Sequence, residues 1–256
     1  MRGLQGMVCL IAGGGSGIGA ATARRVAAEG GLVAIGDLNL EKAEGTADEI
    51  VKSGGVALAL DYDQSEEKSV VALVSRTVEH FGRLDGLHGN AADLSPATLG
   101  EDRNLLKMDP EVWMKTLATN LVGNAILVRE CLPHLLENGG GPVVLTSSSV
   151  SASGEPTRPA YASSKAGLNA LVRHIASKWG KQGIRANAVS PGLVLSQAAQ
   201  EMSEDWFLDK SLAQIRSHRL GVPEDVAATV AFLLSDDAAW VNGQVWGVDG
   251  GHVLRD

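Results

Sequence analysis

Seven short apolar runs, spread along the whole chain and separated by longer helical patterns, restrict this sequence to one kind of architecture. "MVCLIA" (Met7–Ala12), "LVAIGD" (Leu32–Asp37), "VALALD" (Val56–Asp61), "LDGLHGN" (Leu84–Asn90), "PVVLTS" (Pro142–Ser147), "IRANAVS" (Ile184–Ser190) and "QVWGVD" (Gln244–Asp249) read as strands. Most are apolar at both alternating positions, as a sheet covered on two faces requires. Between them lie helix candidates such as "LEKAEGTADEIVKSG" and "EEKSVVALVSRTVEHFG". Strand and helix in alternation mean parallel pairing through right-handed crossovers. The expected fold is α/β, a doubly wound parallel seven-stranded sheet with helices on both faces. No repeat or shift of composition marks a boundary, so residues 1–256 are read as a single domain.

Composition narrows the partners. The 256 residues are 45% hydrophobic, enough for a large core. A net charge of -8 argues against nucleic acid and anionic membrane as partners. The apolar run before the first glycines is too short for a signal peptide or a membrane span. Cys9 and Cys131 sit in apolar surroundings without CxxC spacing and are expected to be buried, reduced thiols of a cytoplasmic protein. The six histidines show no pair at metal-ligand spacing, and no metal is assigned. Two long segments, about 93–108 and 193–220, leave the carboxyl ends of strands, where open α/β sheets bind ligands. Each is either a substrate-side loop or a surface excursion.

"VCLIAGGGSGIGAATARRVA" runs from a strand through glycines into a helix, with Gly13, Gly17 and Gly19 in GxxxGxG spacing. A pyrophosphate needs a tight turn, close backbone approach and helix N–H groups aimed at it. Asp37 closes the second strand about twenty residues on, where a carboxylate hydrogen-bonds a ribose 2′-hydroxyl and repels a 2′-phosphate. Ser16 in the loop and Leu38 after the aspartate leave both positions without a basic residue, which favours NAD over NADP. The alternative for Asp37 is a cap on the helix beginning near Leu40.

In "PAYASSKAG", Tyr161, one of only two tyrosines, stands four residues before Lys165. On a helix that spacing stacks the two side chains on one face, where an ammonium favours the phenolate. The pair is either a tuned acid–base device or a snorkelling lysine on an amphipathic helix. Upstream, "PVVLTSSSV" ends in Ser147, Ser148 and Ser149, with alternation placing Ser148 on the opposite face from the other two. That pattern does not choose among them.

Taken in order, "AGGGSGIG", "GNAA", "TNLVG", "TSSSVSASGEPTRPAYASSK", "NAVSPGLVLS", "RLGVPEDVA" and "GQVWGVDGG" resemble the short-chain dehydrogenase/reductase family over nearly the whole chain. The resemblance implies a Rossmann fold, hydride transfer with a nicotinamide cofactor, and a catalytic set of Asn120, Ser148, Tyr161 and Lys165. In that set Tyr161 is the acid–base, Lys165 steadies it and holds the nicotinamide ribose, Ser148 hydrogen-bonds the substrate oxygen, and Asn120 holds a water of a proton relay. Cofactor contacts are implied at Gly13, Ser16, Gly17, Ile18 and Gly19, then at Asp37, Leu38, Asp61 and Tyr62. They continue at Asn90 and Ala91, at Tyr161 and Lys165, and at Pro191, Gly192, Val194 and Ser196. A homotetramer or homodimer is also implied.

The chain departs from the family in places. The usual Asn-Asn-Ala-Gly reads "GNAA", and Ser196 replaces a threonine. Glu155 and Arg158 precede Tyr161, either lining the substrate pocket or pairing at the surface. Trp206, Phe207, Leu208 and Leu212 offer either an apolar lid or the core of a small helix. The expected activity is NAD(H)-dependent oxidation of a secondary alcohol or reduction of its ketone, a small-molecule substrate. Two other readings stay open: an NADPH-dependent 3-ketoacyl-carrier reductase, and a non-catalytic NAD(H) sensor on the same fold.

Overall fold

A computed structural model describes residues 1–196 and 205–254. The seven apolar runs form one sheet: β1 (Val8–Ala12), β2 (Leu32–Asp37), β3 (Val56–Asp61), β4 (Gly86–Gly89), β5 (Gly141–Thr146), β6 (Ile184–Pro191) and β7 (Val245–Val248). All pairings are parallel, in the order β3-β2-β1-β4-β5-β6-β7. The order reverses direction between β1 and β4, leaving a crevice at the carboxyl ends of the strands there.

Helices cover both faces. On one side α1 (Gly17–Ala28), α2 (Leu40–Lys52) and the late helix, α9 (Pro223–Leu234), pack through Ala23, Val26, Ala43, Ile50, Val226 and Val230 onto Ile11, Val33 and Ile35. On the other, α3 (Glu67–Phe81), α5 (Asn124–Glu137) and α7 (Pro159–Trp179) bury Leu73, Leu127, Cys131, Leu168 and Val172 against Leu10, Leu87 and Leu145. Burying both faces with aliphatic side chains is why the inner strands lack apolar–polar alternation, while the edge strands β3 and β7 stay partly exposed. Cys9 and Cys131 are both buried and unpaired, and burial pushes the Cys9 thiol up to about 12. No helix among the described residues is long and apolar enough to cross a membrane.

Three details shape the crevice. The helix expected around Asn120 divides into α4 (Pro110–Leu117), a π-helical turn (Ala118–Gly123) and α5. The strand β5 stops at Thr146, and Ser149 is already in right-handed helical conformation before α6 (Val150–Ser153). Strand alternation therefore does not reach the second and third serines. The loop 193–220 contains α8 (Asp205–Gln214), while residues 197–204 lie outside the described part of the chain.

Candidate active site

At the amino end of the crevice β1 gives way to Gly13, whose φ of 78° suits glycine. The N–H groups of Gly13 and Gly14 donate to the Gly36 carbonyl at 2.7 and 3.1 Å, folding the loop back over β2. A Cβ at Gly13 would lie 2.7 Å from the Ala91 nitrogen, and one at Gly19 would lie 1.9 Å from the Gly13 oxygen. The loop thus closes only with glycines at both positions. It delivers the start of α1 to the cleft with no acidic residue in the first turn and no side-chain cap from Ser16. Open N–H groups at a positive helix end suit a phosphate.

Asp37 faces this loop. Its Oδ2 accepts the Gly15 N–H at 2.8 Å and its Oδ1 accepts that of Asn39 at 3.0 Å. The cap of α2 is Asn39, accepting from Lys42 N–H, so capping is not the role of Asp37. Asp37 and exposed Leu38 line the cleft, and so does Lys42, a cation that sequence reading missed. Asp61 departs from expectation: it ends β3 opposite Asp37, is exposed, and does not line the cleft. Its neighbours Tyr62 and Gln64 line the cleft instead. Buried Tyr62 donates to Gln64 Oε1 at 2.9 Å, and Gln64 Nε2 donates to the carbonyls of Ala91 (3.0 Å) and Thr119 (2.7 Å).

Asn90 ties the two halves of the sheet together. Its Nδ2 donates to the Gly13 carbonyl at 2.9 Å, and its Oδ1 accepts the Thr146 hydroxyl at 3.0 Å. Because that hydroxyl proton is committed, the 2.9 Å contact between Thr146 Oγ1 and His88 Nε2 makes the imidazole the donor. His88 is fully buried with Nδ1 unpartnered among the described residues, and burial holds it neutral down to about 3.

At the chemical end, Tyr161 and Lys165 lie on α7 as their spacing predicts. Lys165 is buried, its Nζ 5.6 Å from the centroid of the Tyr161 ring and donating to the Thr146 carbonyl at 2.8 Å. Burial lowers the lysine to about 8. Burial raises the Tyr161 hydroxyl, against a hydrogen bond with Ser148 that lowers it. Desolvation outweighs the phenolate stabilisation expected from the sequence. Of the three serines, Ser148 is the one that reaches Tyr161; Ser147 donates to the Lys165 carbonyl at 3.1 Å, locking β5 to α7. Buried Asn120 sits in the π-helical turn, its Oδ1 accepting the Asp93 N–H at 2.8 Å and its Nδ2 unpartnered among the described residues.

The start of α7 is held from a distance. Arg158 precedes it with φ 62°, the only positive φ outside glycine among the described residues. Buried Asp102, in the loop after β4, accepts the Ala160 N–H at 3.1 Å and the Tyr161 N–H at 2.8 Å, while its carbonyl accepts the Arg158 N–H at 2.8 Å. A carboxylate on two helix-start N–H groups is an N-cap supplied by tertiary contact. Nothing local in the sequence signals it. Glu155 and Arg158 form an ion pair, and of the two only Arg158 lines the cleft.

Between the two ends runs a cavity of about 1310 Å³. Gly13, Ser16, Gly17, Ile18, Asn90, Ala91, Tyr161, Lys165, Pro191, Gly192, Val194 and Ser196 line it, whereas Gly19, Asn120 and Ser148 stand behind the wall. Trp206 and Phe207 on α8 are 61% and 40% exposed, which excludes the core reading for them. A glycine cradle that a Cβ would fill and an uncapped helix start fit the diphosphate of a dinucleotide. The cleft is long enough to join that cradle to Tyr161.

A nucleotide crevice joined to a tyrosine–lysine–serine group defines a hydride-transfer oxidoreductase of the Rossmann class. The comparisons give its family. The family model described as enoyl-(acyl carrier protein) reductase matches residues 12–252. A probable short-chain type dehydrogenase/reductase of Bradyrhizobium diazoefficiens is 40% identical over 98% of this chain and 89% of its own. The 7alpha-hydroxysteroid dehydrogenase of Bacteroides fragilis is 35% identical over 100% of this chain and 98% of its own. A solved 7alpha-hydroxysteroid dehydrogenase, complexed with NADH and 7-oxo glycochenodeoxycholic acid, superposes with a TM-score of 0.91 at 31% identity, covering 99% and 96% of the two chains. The chain belongs to the short-chain dehydrogenase/reductase family.

Proposed function

We propose that this protein, one catalytic domain throughout, is an NAD(H)-dependent dehydrogenase that interconverts a secondary alcohol and its ketone, with Tyr161 as general acid–base. The observation that carries this is one cleft lined by Tyr161, Lys165, the glycine loop and Asp37, with Ser148 hydrogen-bonded to Tyr161 behind its wall. NADH in a solved relative and alcohol oxidation named for others support the same reading.

The nicotinamide, when bound, supplies the hydride acceptor or donor. The chain's residues do the rest. Asp37 receives the adenosine ribose, and the glycine loop with the start of α1 receives the diphosphate. Val194 and Ser196, which line the cleft, would hold the carboxamide. In oxidation Tyr161 takes the proton of the carbinol, and Ser148 hydrogen-bonds the substrate oxygen. The ammonium of Lys165 offsets the burial that resists the phenolate and steadies the ribose. Asn120 holds a water that carries the proton onward, a role supported by its Nδ2, buried and unpartnered among the described residues.

Following NADH formation over a panel of secondary alcohols tests this. Tyr161→Phe should cut turnover by about 100-fold or more while NADH affinity stays within about twofold. Equal rates in the two proteins would sink the assignment. A second reading, an NADPH-dependent reductase of carrier-bound 3-ketoacyl chains, gains from Lys42 in the cleft beside Asp37. Tighter binding of NADPH than of NADH would favour it, since like charge at Asp37 should otherwise exclude the 2′-phosphate.

A further inference from the structure

The substrate end of the cleft is bordered by Leu94, Ser95, Leu99 and Leu193 around Tyr161, with Asp93 and Arg158 as its charged groups. Asp93 is turned into its own loop, accepting the Ser95 N–H at 2.9 Å. Among the described residues lining the cleft, the other cations are Lys42 at the nucleotide end and Lys165 beneath Tyr161. That leaves Arg158 as the cation offered to whatever Tyr161 acts upon.

Its presence there is built. A residue with a Cβ resists the left-handed region, yet Arg158 is pinned in it by the Asp102 carbonyl and by the carboxylate cap two and three residues on. The guanidinium bonds Glu155 through Nη2 alone among the described residues. Its Nη1 carries two further N–H donors on the edge away from Nε, open to a charge-assisted bond with an anion. Glu155 fixes the plane and offsets part of the charge, so recognition here depends on direction more than on net field. Arg158 lines the same cleft as Tyr161, and both charges bear on the Tyr161 hydroxyl, Arg158 easing its ionisation and Glu155 opposing it.

We propose that Arg158 is a specificity-determining residue and that the alcohol this enzyme oxidises carries a carboxylate, which the Arg158 guanidinium binds through Nη1 while Tyr161 works on the carbinol. The inference rests on the dehydrogenase reading above and adds the substrate class.

Two series of probes test it. Hydroxy acids with the carbinol at increasing distance from the carboxylate are compared with their methyl esters as substrates. Saturated carboxylates lacking the hydroxyl are compared with their amides for binding to the enzyme–NADH complex, read by NADH fluorescence. In the wild type the acid of each fitting pair should be favoured by about tenfold or more, the range of a charge-assisted hydrogen bond. Arg158→Gln and Arg158→Gly should both lose that preference, and Arg158→Lys should retain part of it. Glycine relieves the left-handed strain, so an Arg158→Gly protein melting no lower than Arg158→Gln would separate lost recognition from lost folding. Equal handling of acids and neutral analogues by the wild type, or a preference that survives in both variants, would overturn the proposal. Tyr161→Phe keeps the two readings apart. It should abolish turnover and leave charge discrimination in NADH-complex binding intact, so turnover surviving in it would overturn the acid–base role alone.

Discussion

His88 shows how far one side chain can set the properties of a site without touching a substrate. It donates into Thr146, Thr146 into Asn90 and Asn90 into the Gly13 carbonyl, a directed chain from the middle of the sheet to the nucleotide loop. Burial brings its protonation from the ordinary 6.5 to about 3, so the folded protein resists a proton that the unfolded chain accepts. The sign follows from linkage. The stability is fully present above pH 6.5 and is lost as pH falls toward 3, by on the order of a few kcal/mol. Acid unfolding followed by circular dichroism should therefore begin at lower pH in His88→Gln, which keeps a terminal N–H donor and has no titrating ring. An unchanged acid midpoint would remove His88 from the causes. None of this was legible in the sequence, where His88 is one of six scattered histidines and nothing local reveals that it faces Thr146, 58 positions away.

Elements with a local cause were legible and those with a tertiary cause were not. The strands fell within two or three residues of expectation because length and doubly apolar composition are written in each run. The spacing of Tyr161 and Lys165 translated directly into one helix face. The start of α7 did not. Its preceding residue is an arginine with no capping oxygen, and the missing cap comes from Asp102, 58 residues before Ala160. Asp102→Ala would leave two helix-start N–H groups and the Arg158 turn unsupported. Loss of a buried cap of this kind should cost about 1–3 kcal/mol in urea unfolding. Because one of those groups is the Tyr161 N–H, kcat should fall more than NADH affinity, and Asp102→Asn should recover part of both losses. A stability change with kcat untouched would reduce Asp102 to scaffolding. The π-helical turn was equally hidden, since the sequence around Asn120 reads as ordinary helix.

Across the whole molecule, the cleft gathers side chains from both halves of the sheet, so a ligand filling it should couple to global stability. NADH at about 100 times its dissociation constant should stabilise the protein by about 2.7 kcal/mol. For a chain of this size that raises the melting temperature by about 5–10 °C, with a smaller shift for NADPH if Asp37 repels the 2′-phosphate. A calorimetric scan with each nucleotide measures both, and a larger shift with NADPH would reverse the cofactor assignment. The reversal of strand order between β1 and β4 has a consequence of another kind. The nucleotide loop and Asp37 belong to chain that comes before the fourth strand, whereas Asp102, Ser148, Arg158 and Tyr161 belong to chain that comes after it. The two are joined by the pairing of β1 with β4, by the packing of α1 with α9, and by Asn90 on Gly13 and Gln64 on Ala91. Such a layout lets heredity edit the two halves separately: a lineage can change the alcohol it consumes while inheriting its currency of electrons unaltered.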